Sequence, residues 1–169
     1  MIKPVAHALV LLVLLSTAPG RPAGAADPYG YWSVAAGSDS VKLGLVFPDF
    51  SPNEFAGVLF TCRPGTAAVE VAVDLPDAVA PGSPVEVVLS TPRDVGRYRG
   101  RVEILQPDDR VVVRAATTLE DPLFEGLASS SSLSLTVAGR EMALPVRNAD
   151  RMVRRFLVAC GGAEKSRAE

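Results

Sequence analysis

Apolar residues recur at every second position in run after run of this chain, and turn residues cut each run short. Successive side chains of a strand point to opposite faces, so this period predicts half-buried strands; a helix would space its apolar positions by three and four. Trp32, Val34 and Ala36 alternate with Ser33 and Ala35, and Val41, Leu43, Leu45 and Phe47 with Lys42 and Gly44. Val58, Phe60 and Cys62 share a face, as do Val69, Val71, Val73 and Leu75, which oppose Glu70, Ala72 and Asp74. Val85, Val87 and Leu89 oppose Glu86 and Ser90; Leu133, Leu135 and Val137 oppose Ser132, Ser134 and Thr136; Met142, Leu144 and Val146 close the series. Ser51-Pro52-Asn53, Arg63-Pro64-Gly65, Ala80-Pro81-Gly82 and Ala138-Gly139 are the punctuation.

The clearest hairpin runs from Tyr98 to Thr117 around Gln106-Pro107-Asp108-Asp109, where Pro presets φ and Asp bonds the local backbone. Pairing Leu105 with Arg110 sets Val102 against Val113 and Ile104 against Val111. The same register puts Arg99, Arg101, Glu103, Arg110 and Arg114 on the other face, so one alignment satisfies both strands.

Two segments depart from the strand pattern. Asp121-Pro122-Leu123-Phe124-Glu125-Gly126-Leu127 reads as a short helical turn or ordered loop, with Asp121 as its cap and Pro122 at the first helical position. Near the end, Val153, Phe156, Leu157 and Cys160 fall at i, i+3, i+4 and i+7, one apolar stripe of a helix. Asn148 caps it, Asp150 suits its first turn, and Gly161-Gly162 ends it. The fold expected is mainly β: an antiparallel β-sandwich or flattened barrel with one C-terminal α-helix.

The first residues are an export signal. Lys3 is the positive flank, Leu9 to Leu15 the apolar run, and Ala23, Gly24, Ala25 and Ala26 the small residues before cleavage after Ala25 or Ala26. The run is too short for a transmembrane helix, which takes about 20 residues. This divides the chain into a signal peptide at 1–26, a single domain at 27–162 and a disordered tail at 163–169. The expected location is the periplasm or the exterior, with no membrane span after cleavage. Cleavage removes His7, the only His, together with Lys3 and Arg21, leaving 15 basic against 19 acidic residues and a net charge of −4. That acidity argues against a nucleic-acid partner.

Cys62 and Cys160 are the only cysteines. One lies on the inward face of a strand and the other on the apolar stripe of the helix, so a disulfide would pin the helix to the sheet. Closing a loop this long is worth roughly 4–5 kcal/mol in the chain-entropy model, and an oxidising compartment favours it over the alternative of two free buried thiols. A redox-active pair is disfavoured: there is no Cys-x-x-Cys spacing and no neighbouring His.

Without His the exported chain has no Ser-His-Asp or Cys-His set and lacks the usual zinc ligands. No phosphate-binding glycine loop occurs. The remaining lysines, Lys42 and Lys165, do not fit a Ser-Lys motif. Asp49, Asp74, Asp77, Asp108, Asp109, Asp121 and Glu125 lie near turns, where turn chemistry accounts for acids better than catalysis does. The Asp108-Asp109 pair lacks the spacing of an EF-hand calcium loop. The expectation is a protein that is not an enzyme, with no metal and no cofactor. Trp32, the single Trp, is expected in the core rather than as a ligand platform.

Two basic surfaces stand out. Arg99, Arg101, Arg110 and Arg114, with Arg97 nearby, share the outer face of the hairpin, and Arg147, Arg151, Arg154 and Arg155 share a helix face. Arginine suits bidentate recognition of carboxylate or phosphate, so either surface could meet anionic lipid, an anionic polysaccharide or an acidic protein. The competing reading is a solvated face balanced by Glu103 and other acids.

Tyr31-Trp32-Ser33, the strand ending Phe60-Thr61-Cys62-Arg63-Pro64-Gly65, and the helix ending Arg155-Phe156-Leu157-Val158-Ala159-Cys160 form a layout. It resembles a group of uncharacterised exported alphaproteobacterial proteins. More distantly it is similar to the periplasmic accessory proteins of type VI secretion clusters. The resemblance spans most of the exported chain through few positions; it implies the disulfide and the sandwich and brings no catalytic residues. The function expected is non-enzymatic binding or scaffolding, by a monomer, of an unknown protein or envelope component; the alternative is a small-ligand or metal-ion binding module of the cell envelope.

Overall fold

Each alternating run becomes a strand. A computed structural model describes residues 30–46, 57–75, 79–106 and 109–161; the expected signal peptide at 1–26 and the expected tail at 163–169 lie outside them. In chain order the elements are β1 (Gly30–Ala36), β2 (Val41–Val46), β3 (Val58–Cys62), β4 (Ala68–Asp74), β5 (Pro84–Ser90), β6 (Val95–Leu105), β7 (Arg110–Thr118), α1 (Leu123–Ser129), β8 (Ser132–Val137), β9 (Arg140–Arg147) and α2 (Ala149–Gly161). The strands close into a barrel in the order β1-β2-β3-β4-β7-β6-β5-β8-β9. The β6–β7 register pairs Leu105 with Arg110, Ile104 with Val111 and Val102 with Val113, as the alternation requires.

The strand order forces the position of α1. After β7 the chain must reach β8, which lies beyond β6 and β5, so it crosses the end of the barrel. The segment that read as a helical turn or loop makes that crossing as α1, burying Leu123, Phe124 and Leu127. Gly126 is required there: a Cβ would fall 2.4 Å from Oγ1 of Thr91 and 2.7 Å from Oδ2 of Asp94 in the β5–β6 turn.

All neighbouring strands are antiparallel except at the closing seam, where β1 and β9 run parallel through two pairs, Gly30 with Val146 and Tyr31 with Arg147. At the next step the ladder is continued by a side chain: Oδ1 of Asn148 accepts the Trp32 N–H at 3.0 Å. Asn148 stands directly before α2, where a cap is expected, but its oxygen is spent on the strand, and its φ of 52° turns the chain from β9 into the helix. From there α2 packs along β1 and β2 and against α1. Its far end is held by the Cys62–Cys160 disulfide, with Cα atoms 6.0 Å apart, and by the Gly65 N–H donating to the Cys160 carbonyl at 2.7 Å.

Inward side chains fill the barrel. A chain of rings runs through it and into both helices: Trp32 to Phe60 at 6.1 Å, Phe60 to Phe124 at 5.2 Å and Phe124 to Phe156 at 5.9 Å between centroids. Trp32, Phe60 and Phe156 are fully buried, and Leu43, Leu45, Leu89, Leu135 and Val113 pack in the same cluster. Trp32 is thus a core residue; its Nε1 is buried without a hydrogen-bond partner among the described residues.

Cutting the ring chain at its centre, by Phe124→Ala, is expected to destabilise the protein by about 3–5 kcal/mol, read from denaturant melts of the Trp32 fluorescence. Cys62→Ser with Cys160→Ser is expected to cost about 4 kcal/mol through the 98-residue separation it frees, with a fall in Tm of about 10 °C or more.

Candidate functional site

Among the described residues no charged side chain is buried; Tyr98 is the ionisable group that enters the core. The sheet pairing decides what each arginine meets. On the outer face of β6 and β7, Arg101 is opposite Arg114 and Glu103 opposite Val112. On the other side of β7 lies β4, whose outward residues are Glu70, Ala72 and Asp74. Arg114 therefore stands between two acids, with Nη1 donating to Glu70 Oε1 at 2.6 Å and Nε 3.0 Å from Glu103 Oε2. The second contact is an ion pair without a well-aligned hydrogen bond, since Nε meets no partner by that criterion.

Arg110 Nη2 donates to both oxygens of Asp74, at 2.6 and 2.7 Å, while Asp74 Oδ2 also accepts the Gly57 N–H at 2.8 Å. Arg97 pairs with Glu86 across β5 and β6 at 3.2 Å. The hairpin patch is thus divided: Arg97, Arg110 and Arg114 hold neighbouring strands together, and Arg99 and Arg101 are exposed with no ion pair among the described residues. Partners 36 and 44 residues away leave no local trace in the sequence, so alternation shows the face and not the acids on it.

The same outer surface carries two shallow depressions. One, of about 200 Å³, is floored by Leu59, Ala72 and Val112 and edged by Lys42, Asp74 and Arg110. The other, of about 700 Å³, lies over Thr61, Ala68 and Ala116, with Asp39, Arg63, Glu70 and Arg114 around it. Small outer side chains contribute to each, Ala72 to the first and Ala68 and Ala116 to the second. Among the described residues no group of three or more His, Cys, Asp or Glu is placed to hold a metal ion.

One acid works at the barrel end. Asp121 Oδ2 accepts the Tyr98 hydroxyl at 2.9 Å and the Thr117 hydroxyl at 2.6 Å, while Oδ1 accepts the Leu123 N–H at 2.9 Å. Asp121 so ties α1 to β6 and β7, with a capping contact at the head of α1. Tyr98 reaches it by lying over Gly96, where a Cβ would be 2.1 Å from the Tyr98 hydroxyl. Alternation placed Asp121 beside a helical turn but could not show that Gly96 makes room for its partner. Burial raises the Tyr98 pKa above its ordinary value, and the Asp121 hydrogen bond and charge raise it further.

No family model matches the chain. No curated protein or solved structure matches it either. No helix among the described residues is long and apolar enough to cross a membrane.

The remaining basic surface is on α2. Arg151, Arg154 and Arg155 are exposed, as is Arg147 just before the helix. Asp150 pairs with Arg154 one turn on.

Tyr98 gives a pH dependence of defined sign. The folded state favours its neutral form, so its contribution is complete below the unfolded tyrosine pKa of about 10 and is lost as pH rises beyond it. Urea midpoints are expected to fall between pH 10 and 11.5 in the parent and to be flatter with pH in Tyr98→Phe, which is less stable at neutral pH by about 1–2 kcal/mol.

Proposed function

We propose that this chain is a non-enzymatic binding or scaffolding protein of the periplasm or the cell exterior. What carries the reading is the filled interior: rings and aliphatic side chains occupy the space in which a transport barrel would hold its ligand. Recognition is then left to the outer surface. The acids nearest to chemistry have structural occupations, Asp121 in orienting α1 and Asp74 and Glu70 in pairing β4 to β7. The buried disulfide suits an oxidising compartment, and the export signal supplies the route.

The depression of about 700 Å³ edged by Asp39, Arg63, Glu70 and Arg114 favours a second reading, a small-ligand binding module. A thermal-shift screen against divalent and trivalent cations, sugars and soluble lipid headgroups separates the two. A ligand at one hundred times its Kd stabilises by about 2.7 kcal/mol, a shift of several degrees. The scaffolding reading expects no such shift. A large one, abolished by Arg63→Ala, would establish the second reading, and turnover of any substrate lost in Glu70→Gln or Asp74→Asn would overturn both.

A further inference from the structure

Helix α2 carries two stripes. The inward one is Val153, Phe156, Leu157 and Cys160, of which Leu157 alone is not fully buried. Moving each position back by two residues rotates it about 200° around the helix and gives Arg151, Arg154, Arg155 and Val158, again at i, i+3, i+4 and i+7. All four are exposed, Val158 by 71%. The solvent side of the helix is therefore a ridge about 10 Å long of three guanidinium groups ending in a bare apolar side chain. Asp150 is its one acid and is engaged by Arg154; Arg151 and Arg155 make no ion pair among the described residues. None of the ridge residues lines a described depression.

We propose that this ridge docks the barrel on a bilayer surface rich in anionic phospholipid. The proposal rests on the binding-protein reading and names the partner. The charge is local, since the whole chain carries a formal −2. Repulsion of the acidic remainder therefore orients the molecule with α2 toward an anionic plane. Guanidinium groups bind phosphate oxygens in pairs. A convex ridge meets a flat surface along its length, whereas an acidic protein would have to supply a groove for it. Val158, exposed at the end of the ridge, is an apolar side chain able to enter the interface below the phosphates, and Tyr31, 38% exposed, is paired across the seam with Arg147, just before α2. The disulfide at Cys160, two residues beyond Val158, fixes the ridge before binding.

The test is co-sedimentation of the exported chain, from Asp27 onward, with vesicles of phosphatidylcholine alone and of phosphatidylcholine mixed with phosphatidylglycerol, so that the apolar run of the export signal adds no binding of its own. The expected result is binding that needs phosphatidylglycerol and weakens steeply with salt. In Arg151→Glu with Arg155→Glu it falls by more than about tenfold. Lysine at both positions retains it, and Arg99→Glu with Arg101→Glu leaves it unchanged. Val158→Ser weakens binding without changing its salt dependence. Circular dichroism and melting confirm that each variant is folded. Failure of the parent to bind, or equal binding by the Arg151→Glu, Arg155→Glu variant, overturns the proposal. Retention on polyglutamate but not on vesicles does so too, and assigns the ridge to an acidic protein. None of these outcomes touches the scaffolding reading, which is decided by the thermal-shift screen and the absence of turnover.

Discussion

A barrel must close, and this one closes through two parallel residue pairs between β1 and β9. So short a ladder cannot hold a nine-stranded sheet by itself, and the rest of the structure supplies what it lacks. Asn148 provides the next rung from a side chain and turns the backbone into α2. The helix then packs on β1, β2 and α1, and the disulfide fixes its far end to β3. Phe156 and Phe124 carry the core into both helices, so the closure and the interior are one packed unit. The cysteines matter because they lock the element that finishes the seam.

The same closure explains the surface. Bringing β7 beside β4 places Glu70 and Asp74 against Arg114 and Arg110, which draws two of the five arginines of the basic hairpin face into cross-strand pairs. These pairs are a third to a half exposed, so each is worth about 1 kcal/mol or less. They fix register more than they add stability. The helix ridge differs, since α2 has a single acid and no facing strand on its outer side. Positive charge therefore remains available there. A filled interior and a ridge in which Asp150 engages only one of three arginines together support the proposed recognition by the exterior of the molecule.

Alternation in the sequence was enough to locate the strands and the face each buries. It was also enough for the β6–β7 register and for the inward placement of Cys62, while the helical spacing of Val153, Phe156, Leu157 and Cys160 placed Cys160, because each depends on side-chain spacing within one element or two neighbouring ones. The export expected from the first residues suggested that the cysteines pair. The tertiary structure decided the strand order, the parallel seam, the helical crossing made by α1 and the diversion of Asn148 from capping to strand pairing. It also decided which arginines are neutralised and that Gly96 must yield space to Tyr98. Those outcomes depend on residues tens of positions apart meeting when the sheet curls shut, and a period of two repeats identically whichever strand becomes its neighbour.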